Sequence, residues 1–335
     1  MAGRTSDFAA FAYHGGALDV ARRLAPDAAR PWIDLSTGVN PHAYPLPDLE
    51  PEVWTRLPAS EALAELEAAA ARRYGVTPEI VVAGPGTQAL IQTLARIFSH
   101  GVAGVLGPTY GGHEEAFVAA GAHVATKTAL ADLTDCKVAI VVNPNNPDGR
   151  IARRDDLLDL HARLRLRGGL LIVDEAFADF DGQESLAPGL PAGAVVLRSF
   201  GKTFGLPGLR LGFALASPEV SDRLRAALGP WPVSGPAITV GARALKDLAW
   251  TDAMAERLAA EAARLDALLT QYGWRIFGGT KLFRLAARLD AGTAFGRLLA
   301  AGILTRPFAD APDRLRFGIP GKETDWERLA AGLRA

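Results

Sequence analysis

Leu197-Arg-Ser199-Phe-Gly-Lys202-Thr-Phe-Gly-Leu-Pro-Gly-Leu-Arg210-Leu-Gly212 is the stretch on which the reading of this chain turns. Ser199 stands three residues before Lys202 and Arg210 eight residues after it, with glycines and one proline between. A lysine can hold an aldehyde as an imine, while a hydroxyl and a guanidinium on either side can hold a phosphate. The set therefore suits an aldehyde cofactor with a phosphate tail. Taken alone, the stretch reads equally well as a loop with an exposed lysine and a structural arginine. Only six of the 36 basic residues are lysines. Arginine cannot form an imine, so a lysine inside a motif hints at chemistry.

Working outward, apolar runs of about five residues recur, each followed by a break and a helical pattern. Ile80–Ala83 leads into Gly84-Pro-Gly86, Val102–Leu106 into Gly107-Pro108, and Val138–Val142 into Asn143-Pro-Asn-Asn146-Pro147. Helices are expected around Gln88–Phe98, Glu114–Ala120 and Asp155–Arg167. Leu170–Val173 ends at Asp174, and Val195–Leu197 ends at Ser199. Buried strands alternating with helices imply an α/β protein with a mostly parallel central sheet flanked by helices. Ligands of such sheets sit beyond the carboxyl ends of the strands, where these polar and glycine-rich clusters fall.

The texture changes near Pro218. A long Ala/Leu/Arg helical pattern runs over residues 236–269, then a turn at Gly278-Gly279 and short alternating segments near Lys281–Leu285 and Leu315–Ile319. The expected organisation is a segment over residues 1–33, a large domain over 34–217 and a smaller α+β domain over 218–335.

Composition excludes several classes. A formal charge of −1 argues against nucleic-acid binding, which needs clustered positive charge. One cysteine, Cys136, rules out an intramolecular disulfide framework and any cysteine-based metal site, and no metal is expected. No signal peptide and no membrane-length apolar run is read, so a soluble, cytoplasmic protein without a membrane partner is expected.

The strand ends supply the other candidates. Val81-Val-Ala-Gly84-Pro-Gly86-Thr87-Gln88 reads as strand, glycine turn and helix start, where free backbone N–H groups collect a phosphate; such turns also merely join elements. Asp174 ends an apolar strand in Leu-Ile-Val-Asp-Glu-Ala-Phe177, and a carboxylate there needs a partner. A protonated pyridine nitrogen would serve, although a helix cap or metal ligand is open. Asn146 could donate to a phenolate oxygen or simply make an Asn-Pro turn. Tyr110 could stack on a ring or only pack.

With these residues quoted, the chain resembles the fold type I pyridoxal-5′-phosphate (PLP) enzymes, the class I/II aminotransferases, from about Asp34 to the end. The motifs Asn-Pro-x-Gly, Asp-Glu-Ala-Phe and Ser-x-x-Lys with its later arginine stand in the family's order and spacing. The resemblance implies the aspartate-aminotransferase-like fold and PLP as cofactor. It gives Lys202 the imine, Asp174 the pyridinium nitrogen, Asn146 the phenolate oxygen and Tyr110 the ring face. Gly86, Thr87, Ser199 and Arg210 go to the cofactor phosphate. Arg316, in Leu-Arg-Phe-Gly, matches the arginine that grips the substrate carboxylate. Two departures stand out: Phe177 where the family has Tyr, and Leu57 in Thr-Arg-Leu57-Pro58 where a Tyr often reaches the partner subunit's site. A homodimer is nonetheless implied.

Two branches of the family fit the length, histidinol-phosphate aminotransferases and threonine-phosphate decarboxylases. The chain looks more like the decarboxylase branch. Tyr13-His14-Gly15-Gly16, the Ile33-Asp-Leu-Ser-Thr-Gly-Val-Asn40-Pro41 segment, Phe177, Gly229-Pro-Trp231-Pro-Val-Ser234 and Thr305-Arg306-Pro-Phe308 carry that likeness. It implies decarboxylation of L-threonine O-3-phosphate, a phosphorylated small-molecule substrate, to the aminopropanol arm of cobalamin. His14, Gly15, Asn40 and Arg306 are the candidates to hold that substrate with Arg316. Amino transfer on a phosphorylated substrate is the alternative.

Overall fold

The short apolar runs become strands buried at nearly every position, as strands covered on both faces must be. The computed structural model describes Phe11, residues 14–181 and residues 184–334. Chain contacts divide it into two units, Ala43–Asn146 with Arg150–Asp252, and residues up to His42 with Pro147–Gly149 and Ala253–Ala335.

The larger unit is built on a seven-stranded sheet. Its order is Val81–Gly84, Gly212–Ala216, Ala194–Ser199, Leu170–Asp174, Val138–Val142, Val102–Leu106, His123–Lys127. Neighbours pair in parallel except that Gly212–Ala216 runs against both of its partners. The mostly parallel α/β sheet expected from the sequence is present. Helices cover both faces, and alternate strand residues feed two separate cores, with Val81 and Ala83 in one and Val82 in the other. Each fully buried Val, Leu or Ile contributes ~1.5–3 kcal/mol of burial free energy.

The edge strand Val81–Gly84 does not present a bare hydrogen-bonding edge. Glu67 Oε1 accepts from the Ala83 amide at 2.9 Å, and Arg225 Nη2 donates to the Val81 carbonyl at 2.7 Å. The two side chains lie 3.5 Å apart. Covering an edge in this way removes a template for pairing with other chains.

The smaller unit contains an antiparallel sheet, ordered Arg306–Pro307, Arg314–Gly318, Phe283–Ala287, Arg275–Thr280, and a parallel pair, Ile33–Asp34 with Ile303–Leu304. Its core includes Trp274, Phe295, Phe317 and Trp326. The strand pairing at Ile33 explains why residues 34–42 group with the C-terminal part, whereas the sequence texture set a boundary at residue 34. Residues 218–252 group with the large sheet, not with the C-terminal part, because helix Pro218–Leu228 packs on the edge strand and helix Gly235–Lys246 on helix Ser60–Tyr74.

Two local expectations change. Gly278-Gly279 is not a turn but lies inside the strand Arg275–Thr280, where a Cβ on either glycine would meet a backbone carbonyl oxygen 2.2 Å away. The long helical pattern breaks at Asp247, whose carboxylate accepts from the Trp250 amide and the Tyr44 hydroxyl, so Gly235–Lys246 and Leu248–Gln271 are separate helices. No helix among the described residues is long and apolar enough to cross a membrane.

Candidate active site

Strand register assembles the large unit's candidates. Ser199 pairs with Gly212, and Gly212 with Gly84, so three strand ends stand in one row. Two residues past Gly84, Gly86 has φ +88° and begins helix Thr87–Ile97. Two residues before Gly212, Arg210 is one of two non-glycine residues among those described with positive φ, at 52°. A Cβ on Gly86 would lie 2.5 Å from the Arg210 guanidinium, and one on Gly212 would lie 2.7 Å from the Thr87 amide. Gly86, Thr87, Ser199 and Arg210 are thus brought together, with the free amides of a helix start among them.

The adjacent row is Val142, Asp174 and Leu197. Asp174 is buried, accepts from the Ala176 amide at 3.0 Å, and meets His113 Nε2 at 2.9 Å. Burial pushes its carboxyl up, but the His113 hydrogen bond and charge, and then the Lys202 ammonium, hold it below the usual carboxylate value. Lys202 sits on the short helix Phe200–Thr203, with Nζ 4.5 Å from the centre of the Phe177 ring. Phe177, which has no hydroxyl, therefore lies against the lysine itself.

Tyr110 and His113 stand edge to face, and the Tyr110 hydroxyl donates to Gln88 Oε1 at 2.8 Å. A Cβ on Gly112 would strike the Tyr110 ring at 2.5 Å, so that tyrosine's placement depends on the glycine. Asn146 is buried in the loop after Val138–Val142. Its neighbour Asn145 fastens that loop to the next one, accepting from Thr109 Oγ1 at 2.6 Å and donating to the Pro108 carbonyl at 3.0 Å.

The expected substrate residues lie in the smaller unit, and Ser36 links several of them. The Gly16 amide donates to Ser36 Oγ at 2.7 Å, and a Cβ on Gly15 would fall 2.3 Å from the Ser36 carbonyl oxygen. Arg316 donates to that same carbonyl at 2.5 Å. Arg306 is the register partner of Arg316, and both are buried. Burial first, and the Arg306 charge second, press the Arg316 pKa far down, with Asp34 opposing. Arginine keeps its proton in folded proteins, so two like charges stand close together here with little water, an arrangement that an anion between them would relieve. His14 is exposed beside Gly15, while Asn40 is buried and its Oδ1 accepts from the His42 amide at 2.9 Å. Tyr13 lies outside the described residues.

Sequence reasoning missed His113. Its only signal was a histidine three residues after Tyr110, just inside the helix Gly112–Ala119. It also missed Asn145, hidden within an Asn-Pro turn. Together the large unit's residues fit PLP. A buried carboxylate suits the pyridinium nitrogen, a lysine lies within its electrostatic reach, and a guanidinium beside a helix start kept clear by Gly86 and Gly212 suits the phosphate.

The model of the family described as aminotransferase class I and II matches residues 30–333. A threonine-phosphate decarboxylase of Pseudomonas aeruginosa is 44% identical over 329 residues, 96% of each chain. Another of Sinorhizobium sp is 40% identical over 326 residues, covering 96% of this chain and 97% of that one. Among solved structures, a histidinol-phosphate aminotransferase of Sinorhizobium meliloti in complex with pyridoxal-5′-phosphate matches with TM-score 0.76 at 19% identity, over 94% of each chain.

Proposed function

This chain belongs to the aminotransferase class I and II family, and from that premise we propose that it is a PLP-dependent lyase that decarboxylates L-threonine O-3-phosphate. The product is (R)-1-amino-2-propanol O-2-phosphate. Full-length similarity to two threonine-phosphate decarboxylases supports the reaction. The structural observation that carries the substrate class is the buried Arg306–Arg316 couple. Two guanidiniums side by side suit a substrate with two anionic groups, and threonine phosphate has a carboxylate and a phosphate. Histidinol phosphate has no carboxylate.

When bound, PLP supplies the electron sink for the pair left on Cα as carbon dioxide departs. In this reading Lys202 carries the cofactor and later returns a proton to Cα. Asp174, held by His113, keeps the ring nitrogen protonated. Asn146 donates to the phenolate oxygen and Tyr110 lies against the ring. Gly86, Thr87, Ser199 and Arg210 hold the cofactor phosphate. Arg316 takes the substrate carboxylate, Arg306, His14 and the Gly15-Gly16 amides take the substrate phosphate, and Asn40 lines the substrate side. Holding both ends of the substrate would restrict the torsions at Cα, and that restriction would favour loss of the carboxylate over proton removal. A homodimer is part of this reading, supported by the exposed apolar side chains Leu46, Trp54, Leu57 and Trp231.

The couple alone would also suit a dicarboxylate, so the assay must follow the products. Purified protein with PLP should release carbon dioxide from threonine phosphate with no 2-oxo acid present. Amino transfer that depends on 2-oxoglutarate, with no carbon dioxide released, would overturn the assignment. Lys202→Ala should lose the visible absorbance band that the wild type shows.

A further inference from the structure

A second set of residues stands one position away from three of the proposed cofactor residues. Glu175 follows Asp174, Arg198 precedes Ser199, and Thr203 follows Lys202. Neighbouring side chains on a strand point to opposite faces, so this offset turns Glu175 and Arg198 away from Asp174 and Ser199. There the second set meets. Arg198 Nη1 donates to Glu175 Oε2 at 2.7 Å, and its Nη2 donates to Asp179 Oδ1 at 2.9 Å. Thr203 Oγ1 donates to the other oxygen of Asp179. Glu175 Oε1 also accepts from the Leu186 amide at 2.8 Å, and the Arg198 guanidinium lies 4.5 Å from the centre of the Tyr74 ring.

The side chains of Arg198, Glu175 and Asp179 are 9%, 0% and 6% exposed, so the charges meet almost without water. Burial works against the Arg198 charge, but Asp179 and Glu175 outweigh it and raise its pKa. Buried ion pairs of this kind often add little net stability over apolar side chains of equal size. What a fully hydrogen-bonded set does supply is geometry. Glu175 is tied to the strand end that carries Asp174, Arg198 to the one that carries Ser199, and Thr203 to the helix that carries Lys202. Asp179 joins the last two.

We propose that Glu175, Arg198, Asp179 and Thr203 are positioning residues, a buried brace that holds the Lys202 helix in register with the strand ends bearing Asp174 and Ser199. The inference rests on the PLP reading of those three residues but not on which reaction follows. Thr203 gives the cleanest test, because it is buried and Thr203→Val removes the hydroxyl while keeping the shape. The holoenzyme is titrated from pH 5 to 10 while its visible band is followed, and PLP affinity, kcat, KM and Tm are measured beside it.

Thr203→Val should move the midpoint of the band's titration by about half a pH unit or more. PLP affinity should weaken about fivefold, and kcat should fall about tenfold with KM little changed, as expected for a displaced reactive group. Thr203→Ser should restore all three. Asp179→Asn should shift the titration in the same sense as Thr203→Val. A fall in Tm with an unmoved titration and unchanged PLP affinity would make the brace merely structural and overturn the proposal. A wild type with no visible band would overturn the PLP reading, and the proposal with it. A wild type with the band and unaffected variants would overturn the proposal alone.

Discussion

His113 Nε2 lies 2.9 Å from Asp174 Oδ2, and both side chains are buried. This contact is one of those that hold the Asp174 carboxyl below its usual value, with the Lys202 charge and the Ala176 amide beside it. Burial alone would raise the carboxyl, and the His113 hydrogen bond is the first of the opposing influences that lower it. Because the folded value lies below the unfolded one, the ionised group stabilises the fold above the ordinary carboxylate value. That contribution is lost as pH falls through the depressed value. His113→Phe removes the donor and leaves burial opposed only by the Lys202 charge and the Ala176 amide. The acid limb of PLP binding should then move up by about one pH unit. Absorbance of the bound cofactor from pH 4 to 8 measures this, and a coincident limb in wild type and variant would refute it.

Gly86 is under two constraints at once, a φ of +88° and an Arg210 guanidinium 2.5 Å from where a Cβ would stand. Gly86→Ala should weaken PLP affinity about tenfold or more, since backbone strain of this kind costs ~1–3 kcal/mol. Gly208→Ala is the control, because its added Cβ would meet nothing within 4 Å. Equal PLP dissociation constants for the two variants would remove Gly86 from the proposed phosphate site.

Arg306 and Arg316 should separate function from stability. Arg306→Met deletes one of two like charges buried together, so the thermal midpoint should stay the same or rise. KM for threonine phosphate should rise about 10- to 100-fold, in line with ~1.5–3 kcal/mol for a charged hydrogen bond. Inhibition by inorganic phosphate should weaken in parallel. A variant that loses thermal stability but keeps its KM would contradict both halves.

Glu67 offers a test of the covered sheet edge. Burial raises its carboxyl above the usual value, only partly opposed by the Ala83 amide and Arg225. A raised folded pKa means that stability falls as pH rises from the unfolded value to the raised one. Glu67→Gln, which can still accept from Ala83, should flatten that part of the stability profile. Glu67→Ala should lose ~1–2 kcal/mol by leaving the amide without its acceptor. Urea unfolding at pH 4.5 and 7.5 distinguishes the two, and identical profiles for wild type and Glu67→Gln would contradict the argument.

Much of this was readable from residue order because its causes are local. Val102–Leu106 and Val138–Val142 are strands over the bounds their apolar runs mark, and Asp174 ends its strand as its sequence neighbours require. The strand His123–Lys127 escaped notice because it lies at the sheet edge, where no run of buried apolar residues is needed. Gly212–Ala216 was hidden behind the lysine motif and runs against its neighbours, which βαβ alternation does not anticipate. Asp247 broke the long helical pattern through a capping contact easily overlooked in an Ala/Leu background. His113 and the Arg198 brace were out of reach for a different reason. Their partners lie 61 and 19–23 residues away, and only tertiary packing brings them together.

The row of Gly84, Gly212 and Ser199 has a consequence for how the chain matures. A slip of one residue between antiparallel strands turns every side chain to the other face. In this row a slip would also carry Arg210, two residues before Gly212, away from Gly86. With Gly86 and Arg210 assigned to the cofactor phosphate as proposed, its capture would then be lost entirely rather than weakened in part. On that assignment, cofactor uptake would report the register of the sheet's one reversed strand, and a yellow protein would be one whose strands have found it.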